Sequence, residues 1–426
     1  MARWTKAAAW VFLAVCAGWY IRENVIEQLP GIANTGSDFT HYYDAARHVA
    51  AGRTPYSDSS YDYPPAVAFV LTPLAATDYV TAREIWFWVS QVFLLAAAWV
   101  TWRAMVAAAG TPEGVPAPQA RVRAPQCLGS ACTVAMVWAF GGAAAESLGL
   151  GQLTPLLVLL VAAAYFRSGV RQGLLTGVGA SLKLIPGLLG AVVLLRRDRR
   201  AMAGLAAAIA VGMVIPSLVI LALNARQAVP ARADYWMGTP ALLNWSAPAV
   251  VLRAMDSPGR GAKLPHDWEF GNGTEGTRLS WGRKLISAGV AAAILLAGIV
   301  VLAVRCRGRL SAEQAPWASA ALISLGVAAS PISWTHYQLL QYPGLAMLLC
   351  HAASKRRWGL AAVAVVLGAM LYAVPVAVLR AYYERYGGWT AWSPATLFVW
   401  TSVTPVAALG LFGMFLLCCQ RPQAPR

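Results

Sequence analysis

Apolar residues fall along this chain in long blocks separated by short polar segments, with little residue-by-residue alternation. That patterning predicts helices that are apolar over most of their surface, not strands with one wet face. Residues 7–21, 85–109, 202–223, 285–304, 360–379 and 396–418 form six such blocks. Shorter ones occupy 127–145, 153–166, 173–195, 318–329 and 339–352, and another runs from 66 to about 77 behind Pro64-Pro65, where a first-turn proline loses no hydrogen bond. The 173–195 block is interrupted by S-L-K-L-I-P at 181–186. Together they predict an all-α polytopic membrane protein with about 11–13 transmembrane helices of roughly 20 residues each.

The polar segments sort by charge. Arg3 and Lys6 precede the first block, and R-R-D-R-R at 196–200, the basic run 305–309 and Lys355–Arg357 follow later ones, as the positive-inside rule expects of cytoplasmic loops. The first block could be a signal peptide, but no A-x-A cleavage site follows and more apolar blocks come later, so it reads as an uncleaved first span. Its basic start puts the N-terminus inside. Three acid- and aromatic-bearing segments, 22–65, 224–284 and 381–395, are then outward-facing loops of a single integral membrane domain covering 1–426. Between Arg103 and Arg171 simple alternation fails, because it places arginines outside.

Composition agrees. The 426 residues are 58% hydrophobic and only 12% charged, with a mean hydropathy of +0.54. That is about half the charge of a soluble protein, and the surplus apolar surface must face membrane lipids. The net charge of +16 sits in short clusters between spans, which argues against nucleic acid as a partner. The seven cysteines show no C-x-x-C and no zinc-ligand spacing, and read as ordinary buried thiols.

Chemistry concentrates in 37–65, which holds four of the 18 acidic residues (Asp38, Asp44, Asp58, Asp62) and both His41 and His48. A helix from Asp38 to about Ala51, stopped by Gly52, puts Asp38, His41 and Tyr42 on one face. Asp38 is then either a first-turn residue stabilising free N–H groups or a general base beside the bilayer. Lys183 stands alone in an apolar block before Ile185-Pro186. It either snorkels to the interface or binds an anion, a phosphate being the natural partner. His336, after Ser330-Pro331, is either a satisfied interfacial histidine or a proton-trading group. Gln152 flanks a short turn with Glu146. Asn244 lies in N-W-S and Arg253 follows it. No nucleotide-binding Gly-rich loop and no carboxylate set with metal-ligand spacing is present, so no cofactor and no metal is expected.

Taken together these segments resemble a known family. D-F-T-H-Y-Y-D-A-A-R-H-V-A-A-G-R-T-P-Y followed by Y-D-Y-P-P looks like the first outer loop of the polyprenyl-phosphate-mannose-dependent mannosyltransferases of glycosyltransferase family 87. The later L-G-L-G-Q-L-T, G-V-G-A-S-L-K-L-I-P with R-R-D-R-R, N-W-S-A-P with Arg253, and S-P-I-S-W-T-H-Y look like that family's other landmarks, in order, over about residues 37–345. Where the family commonly has Asn in the Gln152 turn, this chain has Thr154.

The resemblance implies a GT-C type glycosyltransferase fold with outward-facing catalytic loops. It also implies transfer of a sugar, most simply mannose, from a polyprenyl-phosphate donor to a hydroxyl of a glycolipid or glycan acceptor, with inversion. Asp38 would be the general base, and Lys183, His336 and Arg253 would hold the donor phosphate. His41, Tyr42, Asp44, Gln152 and Asn244 would contact substrate. The expected location is a bacterial plasma (inner) membrane, with the site on its outer face. The rival class is a membrane transporter or lipid flippase, which would carry ionisable residues near the midplane and inverted repeats. Here most acids lie in the loops and no repeating halves stand out. A lipid-binding scaffold without catalysis is the third possibility; it would tolerate loss of Asp38.

Overall fold

A computed structural model describes residues 3–33, 37–57, 61, 63–109, 124–140, 142–224, 246–255, 281–306, 310–330, 333, 335–384 and 394–419. These residues form helices and no strand. In chain order they are α1 (Arg3–Ile21), α2 (Asp38–Ala50), α3 (Pro65–Leu71), α4 (Tyr79–Ala109), α5 (Ala124–Phe140), α6 (Gly142–Leu150), α7 (Thr154–Tyr165), α8 (Gly169–Leu182) and α9 (Leu189–Arg196). Then come α10 (Arg199–Ile209), α11 (Ile215–Asn224), α12 (Ala247–Met255), α13 (Trp281–Arg305), α14 (Ala315–Ala329), α15 (Tyr342–Ser354), α16 (Trp358–Glu384) and α17 (Pro394–Cys418).

Four helical stretches, Tyr79–Ala107, Arg199–Ala222, Trp281–Arg305 and Phe398–Cys418, are long and apolar enough to cross a membrane. Leu128–Ala139 with Gly142–Leu150, bent by 51°, makes a fifth if the pair is one span. Most of the other expected spans correspond to shorter apolar helices. The chain is an integral membrane protein of the all-α polytopic class. Its described residues cluster into two compact units. One comprises 1–193, 198–229 and 339–365, the other 194–197, 230–338 and 366–426.

In the first unit, small residues set the closest helix approach. Gly173 and Gly177 on α8 lie against Ala201, Leu205 and Ala208 on α10, and Gly204 lies against Val170 and Leu174. This is the small-xxx-small contact that lets membrane helices pack backbone to backbone. A π-helical turn, Ala210–Val214, joins α10 to α11, and Gly212 in it leaves room for Ser181 at the end of α8.

Two segments of this unit leave and come back. The first contains α3. Just before it, the Tyr63 ring packs edge-on against Tyr42, with centroids 4.6 Å apart. Just after the 3₁₀ turn Thr72–Ala76 that continues α3, the Tyr43 hydroxyl donates to the Thr77 carbonyl at 2.7 Å. Both ends therefore meet neighbouring residues of α2. The span expected at 66–77 corresponds to the short apolar stretch Pro65–Ala76, an α-helix continued by a 3₁₀ turn. The second segment runs from α8 to α10. Lys183 adopts an extended conformation (φ −160°, ψ 141°) and a 3₁₀ turn, Ile185–Leu188, folds back so that Pro186 abuts Gly179. The hairpin closes where the Gly169 N–H donates to the Asp198 carboxylate at 3.1 Å. Lys183 is at its tip.

In the second unit α14 packs on α17 and α12 on α13. Gln314 starts α14 by exchanging hydrogen bonds with Ser311, at 3.0 and 3.2 Å, and its amide also donates to the Cys419 carbonyl.

Candidate active site

α2 is an amphipathic helix whose sequence sets both its ends. Ser37 precedes it in an extended conformation (φ −91°, ψ 162°) and Asp38 occupies the first turn, where a carboxylate favours the helix dipole. At the other end Gly52 takes φ +68°, and the Arg53 N–H returns to the His48 carbonyl at 2.8 Å. Phe39, Tyr42, Tyr43, Ala45 and Ala46 form its buried face. Tyr79, at the start of α4, places its hydroxyl 3.1 Å from both Ser37 Oγ and Thr40 Oγ1. The N-terminal turn of α2 is therefore held from outside.

Asp38 is half-buried on this turn. Gln152 Nε2 donates to its Oδ2. The other end of that amide, Gln152 Oε1, accepts from the Tyr42 hydroxyl at 3.0 Å and from Lys183 Nζ at 3.5 Å. Gln152 and Lys183 are both buried. One amide thus stands between a carboxylate and an ammonium drawn from helices more than 100 positions apart in sequence. Burial pushes the Asp38 carboxyl above its ordinary value, and the charges of Lys183 and His41 pull it part of the way back. A carboxylate with raised proton affinity is a stronger base than one in water.

Tyr61 and Tyr63 of the Y-D-Y-P-P segment are packed nearby. The Tyr63 ring lies 5.5 Å from Lys183 Nζ, within cation–π range. Tyr61 is buried, donates to the Pro64 carbonyl and accepts from the Ala68 N–H, one of the amides freed at the start of α3. The Tyr56 hydroxyl donates to the Tyr63 carbonyl at 2.9 Å.

Of the residues singled out from sequence, Asp38, Tyr42, Gln152 and Lys183 come together in the first unit. His41 and Asp44 are half-buried on α2. Arg253, on α12, and His336, whose ring packs edge-on against Tyr337 at 4.7 Å, are both buried in the second unit. Asn244 lies outside the described residues, as do Asp58, Asp62 and most of 224–284. Three residues were missed. Tyr63 was one loop tyrosine among several. Trp86 reads from sequence as part of an interfacial belt, yet it is buried and its indole N–H donates to the Gly151 carbonyl at 2.9 Å. Arg83 is also buried, and a cation at the mouth of an apolar helix was the available signal.

A search of curated proteins found no match to the chain. The family model described as Glycosyltransferase family 87 matches residues 61–255, which include Gln152, Lys183 and Arg253 and leave Asp38 and His336 outside, and this match supports a membrane glycosyltransferase.

Proposed function

We propose that the chain is a GT-C type glycosyltransferase that moves a sugar, mannose being the first candidate, from a polyprenyl-phosphate donor to a hydroxyl of a glycolipid or glycan. The observation that carries this reading is the Gln152 bridge, with the Asp38 carboxylate at one end of the amide and the Lys183 ammonium at the other. An inverting displacement needs those two groups. The Asp38 carboxylate takes the proton of the acceptor hydroxyl, and the oxygen forms a bond to the anomeric carbon. The bond from that carbon to the phosphate oxygen breaks, and the electron pair leaves with the polyprenyl phosphate. Lys183 neutralises the charge that develops on the leaving oxygen, and Tyr63 and Tyr42 wall the space beside it. Arg253 and His336 are proposed as further cationic ligands of the donor phosphate.

The test is to incubate purified protein with labelled polyprenyl-phosphate sugars and membrane lipid extract, then identify the product. Asp38→Asn should abolish transfer while the protein still folds and inserts, a loss on the order of 10² to 10⁴ for removal of a general base. Wild-type turnover in that variant would remove Asp38 as the base.

A further inference from the structure

Gln152 can bridge Asp38 and Lys183 only if the turn that carries it is held in place. That turn follows α6, whose last carbonyls have no partner within the helix. Arg83 Nη2 donates to two of them, Leu148 at 2.6 Å and Gly149 at 2.8 Å, and puts a cation at the helix C-terminus. One turn further along α4, Trp86 Nε1 holds the Gly151 carbonyl. Gly151 itself has φ +68°, and a Cβ there would lie 2.7 Å from Phe39 Cβ and 3.0 Å from Arg83 Cζ. The backbone is therefore wedged between α2 on one side and the guanidinium on the other. The Arg83 guanidinium also lies 5.6 Å from the Phe39 ring centroid, directly after Asp38 in sequence.

Arg83 is an expensive way to fill that space. It is 1% exposed, and its Nε and Nη1 are buried without a hydrogen-bond acceptor among the described residues. An apolar plug of the same volume would avoid that penalty. What an apolar side chain could not do is hold the two carbonyls.

We infer that Arg83, together with Trp86, is a positioning residue for the transfer reaction: it fixes the 148–152 turn so that Gln152 donates to Asp38 and stabilises its carboxylate. This rests on Asp38 being the base. The charged groups that act on Asp38 are Lys183 from the α8–α9 hairpin and His41 from α2; of the other elements packed here, α4 brings Tyr79 to Ser37 and Arg83 to Phe39, the loop before α3 brings Tyr63 to Tyr42, and α3 with its 3₁₀ continuation carries no titratable side chain.

The experiment is the pH profile of kcat/KM for sugar transfer from polyprenyl-phosphate mannose by the full-length protein in lipid nanodiscs. A hydrogen bond to the charged form of a carboxylate lowers its pKa, so its loss must move the acid limb upward. Gln152→Met and Arg83→Met should each raise that limb by about one pH unit, and Arg83→Lys, which can still reach a carbonyl, by less. The double variant should show no more than the Gln152→Met shift. An unmoved limb in Arg83→Met, or an equal further shift in the Gln152→Met background, overturns the positioning role. Should Arg83→Met fail to fold, Trp86→Phe and Arg83→Lys are read against the same two outcomes. A limb that moves in Gln152→Met but not in the Arg83 or Trp86 variants refutes this inference alone. A wild-type profile without an acid limb refutes the base role of Asp38 and this inference with it.

Discussion

Gly173→Ala is a one-methyl change far from Asp38 that should damage both stability and transfer. A Cβ at Gly173 would sit 1.9 Å from the Ala201 carbonyl oxygen and 2.7 Å from the Leu205 nitrogen, both backbone atoms that cannot swing aside. Real Cβ contacts stay beyond 3.0 Å, so α8 and α10 must part by at least 3.0 − 1.9 = 1.1 Å at this point. Overpacking of this kind costs about 3 kcal/mol, and the better helix propensity of alanine returns up to about 1, for a net loss of about 2 kcal/mol. The same displacement acts through α8 on Lys183, which directly follows the end of that helix, and a shift of about 1 Å in a reacting constellation lowers rates by roughly 10². The assay is the thermal midpoint of the purified protein, with single-turnover transfer normalised to folded protein. Gly289→Ala on α13, where nothing lies within 4 Å of the new Cβ, is the matched control and should be neutral or slightly stabilising. A Gly173→Ala variant with the midpoint and rate of the wild type would refute the idea that this glycine sets the position of Lys183.

Two further outcomes are expected. Lys183→Met should weaken binding of a polyprenyl-phosphate donor by at least tenfold, measured by displacement of a labelled lipid phosphate; unchanged affinity would rule out the contact. Asp38→Asn should stabilise the fold at neutral pH even as it removes activity. Because burial raises the Asp38 pKa on folding, the folded state holds more protons than the unfolded one between the ordinary and the raised value, and stability falls as pH rises through that window. The variant's thermal midpoint should therefore exceed the wild type's at about pH 8 and converge with it below the ordinary carboxylate range. Convergence at every pH would mean the carboxyl is not perturbed.

Much of this arrangement was legible before any coordinates. Blocks of apolar residues specify membrane helices because lipid leaves the backbone no alternative, and Ser37 and Gly52 delimit α2 almost to the residue. The break at 181–186 and the isolated Lys183 also stand out, since proline removes a donor and a buried cation needs a reason. The contacts of Arg83 and Trp86 do not, because their partners are carbonyls some 65 positions away and a carbonyl has no sequence signature. Hydropathy registers that 66–77 is apolar but not that Tyr63 packs against Tyr42 and that the Tyr43 hydroxyl donates to the Thr77 carbonyl.

Those two contacts have a consequence for sidedness. We propose that α3 returns to the side it left, so that α4 would run in the opposite sense to the one simple alternation gives it and carry Arg103 to the side of Arg3 and Lys6. α5 with α6 then leads back to the Gln152 turn, beside Asp38, and α7 would bring Arg167 and Arg171 to the basic side as well. The Gly169–Asp198 hairpin supplies the second change of parity. Its tip, Lys183, reaches Gln152, and its base restores Arg199 and Arg200 to the side they would have had anyway. The two changes cancel beyond residue 198, which is why the charge pattern looks regular there and irregular only between Arg103 and Arg171. With both made, the described arginines of that stretch would obey the positive-inside rule, and the carboxylate, amide and ammonium of the candidate site would lie together on the opposite face.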